Sequence, residues 1–223
     1  MYKNKLVSLS IVSILSINSL FAVGGAGLHI VTDQVSVSSV NESNFGRAGF
    51  DNPLGIGGYL YLDAIPFVEL DLEIQIAGKD YAVDYYGAPL GDFAWARASY
   101  YFTVKKKIFG GGIPFLAKAK IHVGGGFNAH SYTPYASEEM MIDLVEDIGG
   151  SGGSFDKNPL VEGLIDFLED NKKDASGIHL QAGIQFKLLM LDTHLFYRYN
   201  LTKDVYEGSD SFGSINIRVG VGI

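Results

Sequence analysis

The sequence predicts an all-β protein, an eight-stranded antiparallel up-and-down transmembrane β-barrel with a helical insertion in the third long loop. Three observations lead there. Segments of about ten residues alternate apolar and polar side chains through most of the chain, the period-two mark of strands with two unlike faces. The connections alternate in length, which in an up-and-down arrangement sends the long ones to one end. One acidic segment, 131–177, stands apart from an otherwise charge-balanced chain.

The first element is an export signal. Lys3 and Lys5 give a positive start, residues 6–20 an apolar stretch, and Phe21-Ala22 an end with cleavage after Ala22. Leu20 departs from the small-x-small rule at that site. Ser8, Ser10, Ser13, Ser16, Asn18 and Ser19 interrupt the stretch. That suits a transient signal better than a permanent helix, which needs roughly 20 predominantly apolar residues; an uncleaved anchor is the alternative. Residues 1–22 are thus the signal peptide and 23–223 the barrel. There is no cysteine, so stability in an exported chain must come from a large core or from lipid.

Eight strands follow. The first, around 27–37, is ambiguous in parity. In 56–62, Ile56, Gly58, Leu60 and Leu62 share one face, opposite Tyr59 and Tyr61. Val68, Leu70, Leu72, Ile74 and Ile76 alternate with Glu69, Asp71, Glu73 and Gln75. In 93–104 the apolar face runs from Ala94 to Val104, opposite Arg97, Ser99 and Thr103. Phe115, Ala117, Ala119, Ile121, Val123 and Phe127 oppose Lys118, Lys120, His122 and Asn128. The last three strands place Ile178, Leu195 and Ile217 on one face and His179, Arg198 and Arg218 on the other. Between them lie connections at about 38–54 (long), 63–66 (short), 77–92 (long), 105–112 (medium), 131–177 (very long), 189–190 (very short) and 202–212 (long).

Alternation reports two faces but not which one points outward, so a secreted lipocalin-like barrel is the structural rival. Three features favour lipid outside. Strands of nine to eleven residues match a tilted crossing. The long connections gather at one end. Aromatics on the apolar face sit near strand ends, with Phe102, Phe115 and Phe186 toward the turns and Phe127, Tyr197 and Tyr199 toward the loops, as interfacial girdles would.

From Gly24 to the C-terminus, on these alternating segments, the signal peptide and the final strand GSINIRVGVGI, the chain resembles the small outer-membrane barrels of the OmpA, OmpX and OmpW type. The resemblance implies an outer-membrane location, contact with outer-membrane lipid and delivery by the barrel assembly machinery. It departs at the last residue: such proteins typically end in an aromatic, often Phe, read by that machinery, whereas this chain ends in Ile223.

With lipid outside, the lumen holds a charge cluster of Glu69, Asp71, Glu73, Arg97, Lys118, Lys120, Lys187, Arg198 and Arg218, together with Asp192. Same-face neighbours lie roughly 6–7 Å apart, so the three acids on one strand repel unless cations meet them. Arg97, on the next strand, is within reach. An eight-stranded interior is just wide enough for side chains to fill. The expectation is a salt-bridged, plugged lumen, with a narrow charge-selective conduit as the alternative. An Arg at Leu72 or Ile184 should disrupt insertion by about 2–4 kcal/mol, and one at Gln75 should be milder.

The formal charge is −8, and residues 131–177 alone carry eleven acids against three bases, which leaves the remainder neutral. That distribution argues against nucleic acid as a partner. Within the segment, Met140, Met141, Leu144, Val145 and Ile148 recur at helical spacing. After a Gly/Ser link at 149–154, Asn158-Pro159 reads as an N-cap with proline at the first helical position. Leu160, Val161, Leu164, Ile165, Phe167 and Leu168 then form a second stripe. Two short helices could fold over the barrel mouth as a lid, a gate or a surface for an extracellular partner.

No catalytic or metal-ligating set, and no cofactor motif, stands out. The histidines are scattered at 29, 122, 130, 179 and 194. His130 and His179 flank the long loop and form a candidate rim pair, without an obvious third ligand. Ala129-His130-Ser131 is similar to the Ser/His pairing of lipid-modifying small barrels, but a triad is defined by geometry and not by adjacency. Gly124-Gly125-Gly126 lies within a strand, where a bulge or bend is expected. These observations point to a non-enzymatic barrel with an envelope-structural or surface-interaction role. Transport of small hydrophobic molecules in the OmpW manner is the alternative, and a lipid-modifying enzyme a more distant one.

Overall fold

Alternation of period two becomes a closed ring. The computed structural model describes residues 24–65, 68–113, 116–151 and 153–222. The expected signal peptide at 1–22, and Phe67, Phe115 and Ile223, lie outside them. The strands are β1 (Gly24–Gln34), β2 (Ser36–Val37), β3 (Val40–Asn41), β4 (Phe45–Arg47), β5 (Phe50–Asp51) and β6 (Leu54–Ile65). Then come β7 (Val68–Tyr85), β8 (Ala88–Ile113) and β9 (Ala117–Tyr132). Helices α1 (Glu138–Asp147) and α2 (Lys157–Asp170) precede β10 (Lys173–Leu188), β11 (Leu191–Leu201) and β12 (Phe212–Gly222). Eight strands pair antiparallel in the order β1, β6, β7, β8, β9, β10, β11, β12 and back to β1. The four short strands stay in the β1–β6 connection, where β4 adds itself to the far end of β7.

Parity in the ring follows the alternation. Leu28, Ile30, Ile56, Leu60, Leu72, Ile74, Phe127, Leu180 and Ile217 point outward and are exposed. Glu69, Asp71, Glu73, His122, His179, Arg198 and Arg218 point inward and are buried. In β1 the inner face is His29, Val31 and Asp33. Its parity was ambiguous because Val31 puts an apolar residue inside, next to Asp33.

The connections differ from expectation in two places. Residues 77–92 are not a loop. β7 and β8 run on and meet at a two-residue turn, where Tyr86 and Gly87 both have positive φ, at 48° and 73°. That backbone matches the twist of a tight hairpin and favours glycine at the second place. At the other end, 105–112 is strand and not turn, since β8 continues to Ile113. The extension also places Phe102 directly opposite Phe127, so these two do not mark opposite interfaces.

Along the β7–β8 hairpin the two faces exchange polarity. Below Ala77 the inner residues are Glu69, Asp71, Glu73 and Gln75, and the outer ones Leu72, Ile74 and Ile76. Above it the inner residues are Tyr81, Val83 and Tyr85, and the outer ones Asp80, Ala82 and Asp84. The parity is unbroken; only the surroundings change. On β8 the same exchange falls between Trp95 and Arg97. The apolar-out half is about as long as one tilted crossing, and the remainder of the 18-residue β7 projects beyond it.

Around that projecting hairpin the loops fold into a second core. Phe45, Phe50, Tyr81, Tyr85, Phe93, Trp95, Met141, Leu160, Leu164 and Tyr206 pack together, fully buried. Trp95 stacks on Tyr135 at 6.3 Å and packs at a tilt against Tyr206 at 4.7 Å. α1 buries Met140, Met141 and Val145, and α2 buries Leu160, Leu164 and Leu168. The Ser137 hydroxyl accepts from Met140 N at 3.4 Å as the α1 cap. The α2 cap is Asp156 and not Asn158: its carboxylate accepts from Asn158 N at 3.1 Å. Pro159 therefore sits inside the first turn, where its missing N–H has no intrahelical partner to lose. No bulge occurs at Gly124-Gly125-Gly126, whose register with both neighbours is continuous; the irregularity is across the sheet, between Lys107 and Phe109. A Cβ on Gly126 would strike the Phe102 carbonyl, so the close approach of backbone to backbone is what glycine permits there.

Candidate functional site

The lumen is the site that the ring builds. β7 supplies Glu69, Asp71 and Glu73 on successive inward positions, and β11 and β12 cross the interior with Arg198 and Arg218. Arg198 donates to both Glu73 oxygens, at 2.8 and 2.7 Å, in the two-pronged geometry that a guanidinium favours. Arg218 bridges Glu73 and Asp71, the latter at 2.6 Å. Lys105, from β8, pairs with Glu69 and reaches Asp71 at 3.2 Å. Lys120 closes the row on Glu69 at 2.6 Å. Aromatic faces brace the cations: Arg198 lies 3.8 Å over Tyr101, and Arg218 4.6 Å over Tyr59.

Toward the loops, Arg97 meets Asp33 at 2.9 Å, and the Tyr206 hydroxyl donates to the same carboxylate. Toward the turns, Asp192 accepts from Gln185 Nε2 at 2.7 Å and from the Tyr61 hydroxyl. Five lumen acids thus face five lumen cations among the described residues, so the ion-paired stretch of the interior is close to neutral. Above the ion pairs the aromatic cap core covers the opening.

Of the residues expected to form the cluster, Glu69, Asp71, Glu73, Lys120, Arg198 and Arg218 come together. Arg97 lies in the lumen but pairs with Asp33 instead of the β7 acids, because those acids lie nearer the turns. Lys187 is half-buried, and Lys118 is exposed at the turn end, where β9 has passed below the packed interior. His130 and His179 are not at a rim. Both are buried inside, His130 Nδ1 at 2.8 Å from Ser99 Oγ and His179 Nε2 at 2.9 Å from Thr103 Oγ1, with Tyr101 between them. No group of metal-ligating side chains occurs among the described residues. Ser131 lies on the opposite face of β9 from His130, and the Ser99–His130 pair has no carboxylate on its other nitrogen. Sequence reasoning missed Lys105, hidden in a three-lysine run taken for a connection, and Asp33, on the strand of uncertain parity.

The cap is held by a second, smaller electrostatic knot. Arg47 is buried, pairs with Glu207, donates to the Ala136 carbonyl at 3.3 Å and lies 4.8 Å over the Tyr135 ring. It ties three loops together. Burial raises the Tyr81 and Tyr135 phenols above their usual range, so both stay neutral. At the surface Glu42 and Glu138 approach one another, and a hydrogen bond between them raises the Glu42 carboxyl.

No protein-family model and no curated protein matches the sequence. Among solved structures the fold is similar to the outer membrane protein OprG of Pseudomonas aeruginosa, at 9% identity over 90% of this chain and 92% of that one, with a TM-score of 0.47. It is similar also to the N-terminal β-barrel domain of P. aeruginosa OprF, at 11% identity over 89% and 99%, with a TM-score of 0.44. Ail, the attachment invasion locus protein of Yersinia pestis, shows 12% identity over 90% and 99%, with a TM-score of 0.40. The functional reading is carried by the chain's own geometry.

Proposed function

We propose that this chain is a non-enzymatic outer-membrane barrel with a closed lumen, which displays an acidic folded cap at the cell surface in an envelope-structural or surface-interaction role. The observation that carries this is the row of ion pairs joining β7 to β11 and β12 across the interior, covered by the aromatic cap. A path for solute would have to separate buried opposite charges, and a buried charge left alone is expensive. An outer belt of exposed Leu, Ile, Val and aromatic side chains supports lipid as the barrel's solvent, since so much contiguous apolar surface is foreign to a soluble monomer. The same belt speaks against the lipocalin-like alternative. The signal peptide at 1–22 and the assembly machinery belong to this proposal, as does an extracellular partner meeting the acidic helices.

Conductance across a planar bilayer tests it, using protein whose unheated gel band migrates differently from the boiled one. Background current alone is the expected result. A steady unit conductance, or saturable uptake of apolar solutes into liposomes, would overturn the closed lumen and favour the transport alternative. Unchanged lipid A in cells carrying His130→Ala and Ser99→Ala is expected, because that pair is buried and lacks an orienting acid.

A further inference from the structure

At the turn end the interior opens into a vestibule of about 1080 Å³, large enough for a small-molecule ligand. Its floor is the lower edge of the ion-pair row, where Lys105 meets Glu69. Its walls are electrically unbalanced. Lys107, Lys118 and Lys187 all line it, and among the described residues none has a carboxylate within 4.0 Å. Lys105 and Lys120 line it too, but their charge is taken up by Glu69, Asp71 and Asp63. Three unneutralised lysines around one hollow call for an anion with several oxygens.

The mouth is rimmed by Leu116, Leu189 and Met190, each about half exposed or more, which continue the outer apolar belt down to the opening. The hollow therefore lies where a lipid chain would end and its head group begin.

We infer that the vestibule binds a phosphate ester, supplied by the head group of an anionic phospholipid such as phosphatidylglycerol. Phosphate oxygens accept from the free lysines. The inference rests on the membrane reading only for the source of the ligand, because a soluble glycerol phosphate presents the same chemistry.

The test uses the full chain in detergent, with the heat-dependent gel shift read on the same sample. Lipid retention is measured by native mass spectrometry against phosphatidylglycerol and phosphatidylcholine, and glycerol 3-phosphate binding by titration. The expected result is preferential retention of phosphatidylglycerol, reduced roughly tenfold or more when Lys107, Lys118 and Lys187 are all changed to Gln. These lysines lie at the turn end outside the ion-paired row, so the variant keeps its gel shift. Binding of glycerol 3-phosphate alone would keep the chemistry and replace the lipid with a soluble source. Equal retention of the two lipids with no glycerol 3-phosphate binding, or equal binding by the variant, overturns the inference. A missing gel shift would instead overturn the membrane reading, while the titration would still decide the vestibule.

Discussion

Glu73 is where the closed lumen is most exposed to challenge by a single substitution. It accepts from two arginines on two strands and is itself fully enclosed. Arg198→Ala leaves that carboxylate half-paired in a dry interior, and a loss of about 3–5 kcal/mol is expected in denaturant unfolding. Replacing the pair together, Glu73→Leu with Arg198→Met, should recover most of it, since Arg218 keeps Asp71 and no buried charge is left wholly unpaired. Equal losses for the single and the paired change would mean that the pair contributes through shape and not charge. The residue scale is also where the sequence was least legible. Parity alone put Glu73, Arg198 and Arg218 inside, because a strand's faces repeat every second residue. Which cation meets which acid depends on ring closure and tilt, and neither is written in local spacing. Arg97 shows this, being one strand from the acids in sequence order and bound to Asp33 in the ring.

At the scale of elements, the β7–β8 hairpin explains why a loop was expected at 77–92. Its alternation continues, but with the polarity of the faces exchanged, and a search for outward apolar residues stops where they turn inward. The exchange also marks the edge of the apolar layer. Leu72 and Asp80 lie on the same face of β7 on opposite sides of that edge, and both are exposed. Leu72→Arg should weaken insertion by about 2–4 kcal/mol, whereas Asp80→Arg should leave the fraction of gel-shifted protein unchanged. Equal behaviour would misplace the edge. Gln75 is no mild control after all: it is buried between His29 and Tyr101, at 3.0 and 3.2 Å, so an Arg there has no room. The helices were more legible, since their apolar stripes recur at a spacing that packing then uses, and only the cap of α2 fell two residues from its expected place.

The whole molecule has two cores of different kinds, a charged one inside the ring and an aromatic one above it. Trp95, the chain's one tryptophan, is fully buried in the upper core and reports on it alone. In urea, its emission should shift red at a concentration where the unheated gel band still migrates as a closed barrel. Leu164→Ala should move that first transition, by about 2–5 kcal/mol, and leave the second where it is. A single shared midpoint would mean that the cores unfold as one. The charge has poles as well, with the acids of 131–177 at the loop end and the unpaired lysines at the turn end. β7 and β8 belong to both cores, running unbroken from the lumen into the cap. The helices are joined by the chain to β9 and β10, which pair with each other and, through β9, with β8. A pull on the helices is therefore borne along those strands and loads their inter-strand hydrogen bonds in shear, many at once, instead of peeling them apart singly. The cap is in this sense a handle on the barrel, and whatever holds it holds the ring.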